Sequence, residues 1–179
     1  MGSEMCIRDR SEYSTRYPAE AETTERYQQF VAQHEDCFER SQLAGHVTGS
    51  AWLLNSTGTH VLLTHHRKLD IWVQLGGHAD GDPNPLNVAL REANEESGIA
   101  NITTIADTLF DIDIHLIPAR NSEPAHYHYD ARFLLQTTTS DAYLVSDESH
   151  ALEWVDINRI EHKTAEASML RMAHKCMSR

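Results

Sequence analysis

The order of hydrophobic and polar positions along this chain predicts strands and helices mixed in one fold. Apolar and polar residues alternate in some runs, which is typical of β-strands, and recur every three or four residues in others, which is typical of amphipathic helices. Helices are predicted over 19–40 and 85–97, and Thr164 is the expected N-cap of a last helix. Strands are predicted over 46–55, 60–66, 71–75, 103–117, 125–136 and 152–155, with a further one near 143–145. This order favours the α/β (α+β) class, with helices on either side of a mixed β-sheet.

The clearest helix follows a Gly76-Gly77 turn and an acidic loop. Asn84 is a good N-cap, and Pro85 suits the first helical position because its missing N–H would be unpaired there in any case. Gly98 is the expected end of the helix, since glycine readily adopts the left-handed conformation found there. The apolar positions recur at helical spacing and form the face towards the core: Leu86, Ala89, Leu90 and Ala93.

Three carboxylates lie on another flank of this helix. Glu92, Glu95 and Glu96 are separated by steps that place them within two turns. Arg91 precedes Glu95 by four residues and can brace it. Carboxylates this close repel one another unless a cation joins them, and Mg²⁺ is usually bound by one or two carboxylates together with substrate phosphates. A solvated acidic face is the alternative, and the carboxylates alone favour that alternative.

The spacing of the whole segment resembles the Nudix box. That pattern begins with a glycine, five residues of any type and a glutamate. After seven further residues of any type it continues with Arg-Glu, an aliphatic residue, any residue, Glu-Glu, any residue, glycine and an aliphatic residue. The positions in register here are Gly77, Arg91, Glu92, Ala93, Glu95, Glu96, Gly98 and Ile99. Pro83 replaces the first glutamate, which in the family commonly supports the arginine and the metal site; Asp80 or Asp82 can take its place.

The resemblance implies a Nudix-type α/β/α sandwich and a metal-dependent hydrolase. Such an enzyme cleaves the diphosphate bond of a nucleoside diphosphate linked to another moiety, X. The implied cofactor is Mg²⁺ or Mn²⁺, which bridges the substrate phosphates while water attacks phosphorus. The implied metal ligands are Gly77, Glu92, Glu95 and Glu96.

Further roles follow from the same resemblance. Arg91 is expected to orient the carboxylates rather than to touch the reacting atoms. The backbone of Gly76 and Gly77 is expected to hold metal or phosphate, because glycine allows close approach. The base that deprotonates water is Glu95, Glu96 or Glu148, a loop residue in a place where several Nudix enzymes carry one. A plain loop carboxylate is the alternative for Glu148.

Two predicted strands carry polar side chains on one face. These positions are Asp111, Asp113 and His115 in the first strand, and His126, His128, Asp130 and Arg132 in the second. The functional interpretation is a substrate-facing wall whose imidazoles and guanidinium bind phosphate or orient a second metal ion, with Arg132 suited to bidentate phosphate contact. His78 belongs to the same hypothesis, since the family often has a residue near the substrate there. A solvated sheet face is the alternative. A zinc site is disfavoured because no spacing matches a zinc motif and the acidic helix suits a harder metal.

Composition limits the class of protein and its setting. The formal net charge is −12 over 179 residues, without any Lys/Arg-rich run, which argues against general binding to nucleic acid. No apolar run approaches a membrane span and no secretory signal is recognisable. Cys6, Cys37 and Cys176 are far apart and odd in number, so neither a disulfide framework nor a zinc knuckle is predicted. A cytoplasmic protein with a small nucleotide-type substrate is expected, and a homodimer is a family expectation.

The length suits one domain with extensions. The N-terminal sequence has no pattern that would bury a side chain and resembles translated sequencing adaptor. The expected divisions are a non-native or disordered tail over 1–16, a helical extension over 17–43, a Nudix hydrolase domain over 44–160, and a C-terminal helix over 161–179 that packs on the core.

Three other functions remain open at this stage. The chain can be a Nudix-fold sensor that binds a nucleotide or sugar nucleotide without turnover, and Pro83 is the feature that supports this. It can be an isomerase of isoprenoid diphosphates, which needs a catalytic cysteine and glutamate in the pocket. Cys37 and Cys176 lie outside the predicted core strands, which argues against this function. It can be an interaction domain, in which case the acidic cluster would be an unexplained electrostatic cost.

Overall fold

A mixed sheet of seven strands forms the centre of the molecule. The structure is a computed structural model that describes residues 12–67, 70–120, 123–145 and 149–179. Its strands are β1 (Gly45–Leu54), β2 (His60–His66), β3 (Ile71–His78), β4 (Ile102–Thr104), β5 (Asp111–Ile117), β6 (His126–Thr137) and β7 (Ser149–Asp156). The strand order is β4-β6-β1-β3-β2-β7, and β5 pairs with β6 beside β4. β1 and β6 are parallel, and the other pairings are antiparallel, so the predicted mixed sheet is confirmed.

Helices cover both faces of this sheet. The longer helices among the described residues are α1 (Ala21–Gln33), α2 (Pro85–Ser97) and α3 (Ala167–Met177). Side chains alternate along β1, so that Val47 and Ala51 join the core beneath α1 and α2, whereas Trp52 joins a second core with Met169 and Met172 of α3. This arrangement confirms the α/β/α sandwich. Among the described residues, no helix is long and apolar enough to cross a membrane.

Several boundaries differ from the prediction. The first helix is shorter than 19–40: it covers Ala21–Gln33 and is followed by turns up to residue 44. Gly76 and Gly77 form no turn: β3 continues through them, where they pair with Ser50 and Gly49 of β1. The segment 103–117 is not one strand but β4 and β5 with a break between them.

Two further predictions near the C-terminal end are wrong. Residues 143–145 form no strand. Thr164 is not the N-cap of the last helix, which starts at Ala167 after Glu166; the Thr164 hydroxyl instead accepts a hydrogen bond from the Glu166 N–H at 3.3 Å. A hydroxyl two residues before an N–H makes such a local turn as readily as it makes a cap.

Part of the segment that was expected as a tail is folded. Residues 12–16 are helical, and Tyr13 is fully buried although it was assigned to the tail. Its hydroxyl accepts hydrogen bonds from the Lys175 ammonium at 2.7 Å and the Ile112 N–H at 3.1 Å. The remainder of the predicted tail, residues 1–11, lies outside the described residues. The N-terminal segment therefore joins the fold from residue 12.

Candidate functional site

The helix that carries the three glutamates begins and ends as its sequence predicts. The Asn84 side chain accepts a hydrogen bond from the Leu86 N–H at 3.1 Å, and Pro85 occupies the first turn. Gly98 follows the helix with φ of 68°, in the left-handed region that favours glycine. Val88 and Ala93 are fully buried under the helix. Local signals therefore fix the position of the glutamates along the chain.

Two of the glutamates contact the glycine pair of β3. The Gly76 N–H donates a hydrogen bond to Glu96 Oε1 at 2.7 Å. A Cβ atom at Gly77 would overlap the carboxylate of Glu92, so that this carboxylate occupies the space a side chain would need. Glu92 is 16% exposed, whereas Glu95 is open to solvent. Gly77 is thus required for the close approach of Glu92, whereas a Cβ atom at Gly76 would meet Ser50 of β1.

Arg91 links the helix to the end of β3. One terminal nitrogen of its guanidinium donates to the His78 carbonyl oxygen at 2.7 Å and to Glu92 Oε1 at 3.0 Å. Among the described residues its carboxylate partner is Glu92, so the expected brace to Glu95 is not formed. Arg91 can therefore fix the orientation of Glu92 without facing a reacting group.

The loop around Pro83 gives its two aspartates other partners. Asp80 forms a bidentate pair with Arg40, at 2.5 and 2.7 Å, and this hydrogen bonding lowers the pKa of Asp80. Asp82 accepts a hydrogen bond from the Asn84 N–H at 2.9 Å. The prediction that one of them replaces the missing glutamate is not supported by this geometry.

The polar face of β6 divides into a buried ion network and a group of histidines. Arg132 is 2% exposed, and its guanidinium contacts Asp130 at 2.7 Å, Asp111 at 3.2 Å and Asp113 at 3.5 Å. Burial alone would lower the pKa of Arg132, but these carboxylates raise it. The Asp130 carboxylate also accepts from the hydroxyl of Ser50 at 2.7 Å. The predicted role of Asp130 and Arg132 in phosphate binding is therefore not supported, because both groups are enclosed and paired.

Asp111 joins this network to the C-terminal helix. Its side chain is fully buried and accepts from the Arg171 guanidinium at 2.8 and 2.7 Å, and from the Lys175 ammonium at 2.7 Å. Lys175 is itself 7% exposed and also contacts Glu20 at 2.9 Å. Three cationic groups, counting Arg132, thus meet at one buried carboxylate. Sequence reasoning missed Arg171 and Lys175, because their helix gives no local sign of buried charge.

The histidines gather at the other end of the same face. The pairing of β1 with β6 places His46 beside His128, and the pairing of β5 with β6 places His115 beside His128 as well. The ring centres of His46 and His128 are 4.9 Å apart, those of His78 and His128 are 5.0 Å apart, and those of His46 and His126 are 4.9 Å apart. We call His46, His78 and His128 the histidine triad; His115 and His126 lie at its edge.

Burial keeps the histidine triad neutral at pH 7. It lowers the pKa of His78 to about 4 and the pKa of His128 to about 2, and the neighbouring cationic or imidazole groups add to this effect. The pKa of His46 is lowered for the same reason. Neutral imidazoles can accept hydrogen bonds or bind metal ions, but they cannot supply positive charge to a phosphate.

Two further residues bear on the prediction. Glu148, a predicted base, falls outside the described residues. His46 belongs to the triad but is not among the site residues predicted from the sequence, although His46, Thr48 and Ser50 alternate along β1 as the polar positions of β6 do. The alternation was visible, but the pairing of β1 with β6 that aligns the two polar faces was not.

A cavity of about 600 Å³ lies elsewhere on the molecule. It is enclosed by the N-terminal segment, residues 106–110 and α3, with Arg16, Arg171 and Lys175 among its lining residues. Neither α2 nor the histidine triad lines it. The candidate site is therefore an open surface at α2 and the end of β3 rather than this cavity.

Comparison with known proteins gives the family. The family model described as the NUDIX domain matches residues 45–176. This range includes nearly all of α3, whereas the domain expected from the sequence ended at residue 160. The comparison with curated proteins finds no match.

Solved structures show the same fold. A Caenorhabditis elegans Ap4A hydrolase aligns with a TM-score of 0.59 and 18% identity over 74% of this chain and 95% of that chain. A NUDIX family hydrolase from Clostridium perfringens aligns with a TM-score of 0.55 and 23% identity, over 74% of this chain and 97% of that chain. The Escherichia coli dihydroneopterin triphosphate pyrophosphohydrolase aligns with a TM-score of 0.57 and 14% identity, over 74% of this chain and 96% of that chain. At these identities the likeness concerns the fold.

Proposed function

Because this chain belongs to the NUDIX family, we propose that it is a metal-dependent hydrolase that cleaves the diphosphate bond of a nucleoside diphosphate linked to another moiety, X. The observation that carries the proposal is the contact between α2 and the glycine pair of β3. There Glu96 accepts the Gly76 N–H, and Glu92 fills the space beside Gly77. Because the carboxylates of α2 lie against the backbone of two residues without side chains, they can supply oxygen atoms to a cation and leave space for a phosphate.

The residues present suit a hard divalent cation, Mg²⁺ or Mn²⁺. Glu92, Glu95 and Glu96 offer carboxylate oxygens, and Gly77 offers a backbone carbonyl, which are the donors that Mg²⁺ prefers. A bound ion would neutralise charge on the diphosphate while water attacks phosphorus. Such an ion is needed here because the chain carries a formal charge of −12 and its proposed substrate is an anion.

The side chains around that position have separate tasks in this proposal. Arg91 holds Glu92 in place through one guanidinium nitrogen. Glu95 is exposed and therefore open to water, which makes it our choice for the carboxylate that accepts the proton of the attacking water. Glu96 and Glu148 remain the alternatives for that base. The backbone of Gly76, Gly77 and His78 would border the substrate.

The proposal is tested by following nucleotide and phosphate release from a panel of nucleoside diphosphate derivatives with Mg²⁺ or Mn²⁺. We expect wild-type protein to hydrolyse one substrate class. Glu95→Gln and Glu96→Gln are expected to lower kcat/KM at least about 100-fold, since each removes a charge that acts on the transition state. Glu161→Gln, a change at a side chain 57% exposed on the far 3₁₀ helix Ile157–His162, is the matched control and should keep wild-type activity.

A nucleotide sensor without turnover is the second candidate, and Pro83 supports it. Since Asp80 and Asp82 have other partners, the site lacks one carboxylate of the family pattern. Absence of hydrolysis across the panel, with nucleotide binding still detected by calorimetry, would reject the hydrolase in favour of this sensor. Pro83→Glu would then be expected to create turnover.

A further inference from the structure

Three neighbouring strands bring the histidine triad together. His46 of β1, His78 of β3 and His128 of β6 each offer a ring nitrogen, and these three atoms lie within 4.8 Å of one another. The residues are far apart in sequence, so that only the pairing of β1 with both β3 and β6 places them together. This explains why no zinc motif is visible in the sequence.

Three ring nitrogens of His46 and His128 are buried without a hydrogen-bond partner among the described residues. His46 is 4% exposed, and within the described part of the chain neither of its ring nitrogens has a hydrogen-bond partner; the Gln42 backbone approaches the ring without reaching hydrogen-bond geometry. Nε2 of His128 is also buried without a partner among the described residues. A buried polar atom without a partner costs free energy of about 1–3 kcal/mol, so the unpartnered nitrogens of His46 and His128, on neighbouring rings, call for a ligand.

We propose that His46, His78 and His128 bind a divalent transition-metal ion of the Zn²⁺ type, at a site separate from the carboxylates of α2. Zn–N distances of about 2.0–2.1 Å place the nitrogens of a tetrahedral site about 3.3–3.4 Å apart. Rings whose nitrogens lie within 4.8 Å reach that spacing by modest side-chain rotation. Imidazole suits Zn²⁺, Cu²⁺ and Ni²⁺ but not Mg²⁺, which prefers oxygen.

The two histidines at the edge are arranged as supporting residues. Nδ1 of His126 lies 2.9 Å from the Pro124 carbonyl oxygen, and Nδ1 of His115 lies 3.2 Å from the Asp113 carboxylate. Because both oxygens only accept, each Nδ1 carries the proton, and Nε2 keeps its lone pair in the neutral ring. Histidines oriented in this way are typical around metal ions. His126, whose ring centre is 4.9 Å from that of His46, is placed to supply the fourth ligand or to border an open position.

The site is distinct from the proposed hydrolase site, although the two are adjacent. Alternation along β3 directs His78 to the face of Asp130 and α3, whereas Gly77 faces Glu92 on α2. The His78 carbonyl oxygen accepts from Arg91, so that one residue connects the two sites. A metal ion on the triad would therefore be separated by the sheet from one on the glutamates, and this proposal does not depend on hydrolysis.

The test uses full-length protein without an affinity tag, freed of metal by a chelator. ZnCl₂ is titrated by calorimetry and Co²⁺ by visible absorption, in the presence of excess Mg²⁺ to occupy the glutamates. We expect one equivalent of Zn²⁺ to bind, and His78→Ala and His128→Ala to weaken its affinity at least about 10-fold. His162→Ala removes an imidazole 75% exposed and far from the triad, and should bind like wild type.

Two controls keep the result unambiguous. Glu96→Gln should bind Zn²⁺ as tightly as wild type; loss of binding in that variant, with retention in the histidine variants, would overturn the proposal by placing the ion on α2. Since His128 is packed in the sheet, circular dichroism checks the fold of each variant. Imidazole ¹⁵N–¹H spectra of wild-type protein give an independent measurement: Zn²⁺ should shift the resonances of the three triad rings, and unchanged rings would reject the site.

Discussion

Asp111→Asn is expected to lower the free energy of unfolding by about 3–5 kcal/mol, the range found when one partner of a buried ion pair is removed. Asp111 is fully buried, and both of its oxygens accept from cationic donors: Arg171 and Lys175 at 2.7–2.8 Å, and Arg132 at 3.2 Å. Asparagine has nearly the same shape but replaces one acceptor oxygen with an NH₂ donor. That donor would face one of these cationic groups and leave it without its carboxylate acceptor.

The measurement is urea unfolding at pH 7, followed by tryptophan fluorescence. Asp70→Asn is the matched control, because the Asp70 side chain is 83% exposed and its pair with His65 lies at the surface, where ion pairs contribute about 0–1 kcal/mol. Asp70 also has φ of 56°, which asparagine tolerates. Equal effects of the two variants would show that the network contributes little. A cycle with Arg171→Met would then measure how strongly Asp111 and Arg171 are coupled.

Local sequence signals predicted the part of the site that is built from one segment. Asn84, Pro85 and Gly98 determine where α2 begins and ends, and the spacing of its glutamates follows from helix geometry. The mixed sheet and the two helical layers also followed from periodicity and resemblance, and both are confirmed. These features depend on residues within a few turns of one another, which is the range that capping and periodicity report.

Features that depend on strand order were not predictable in the same way. The polar alternation of β6 suggested a substrate wall, but half of it faces α3. Arg132 and Asp130 became an enclosed ion network because Arg171 and Lys175 approach from a helix almost forty residues later in the chain, a distance that no periodicity reports. His46 and His128 became neighbours only through a parallel pairing of distant strands.

The two ends of one sheet face thus differ in whether their charged and polar groups are paired. Near α3, each buried cation has a carboxylate partner, so that the charges stabilise the docking of the terminal helix. At the other end the rings are neutral, since burial lowers the pKa of His78 and His128, and nitrogen atoms remain without partners. A substrate wall that binds phosphate needs accessible cations, but among the described residues of this strand face Arg132 is enclosed and the histidine triad is neutral. This distribution is why we assign metal binding rather than phosphate binding to the histidines.

Gly77→Ala is expected to lower kcat/KM about 10–100-fold and to weaken Mn²⁺ binding, with little change in thermal stability. The added Cβ would lie 2.9 Å from Glu92 Oε1 and overlap the rest of that carboxylate. Glu92 is the more flexible partner, so the carboxylate and not the strand is expected to move. Displacement of a ligand by about 1 Å is enough to cost activity on this scale.

The control is Gly58→Ala, in the turn between β1 and β2. Its Cβ would meet no atom closer than 3.6 Å, and its φ of 71° makes the change cost about 1–2 kcal/mol of stability without affecting α2. Activity is measured as initial rates over a Mn²⁺ series, and metal binding by calorimetry. Gly77→Ala should raise the Mn²⁺ concentration needed for half-maximal rate, whereas Gly58→Ala should lower only the melting temperature. An unchanged Mn²⁺ dependence in Gly77→Ala would mean that Glu92 does not hold the ion, because a carboxylate moved from its place beside Gly77 could not bind metal with the same affinity.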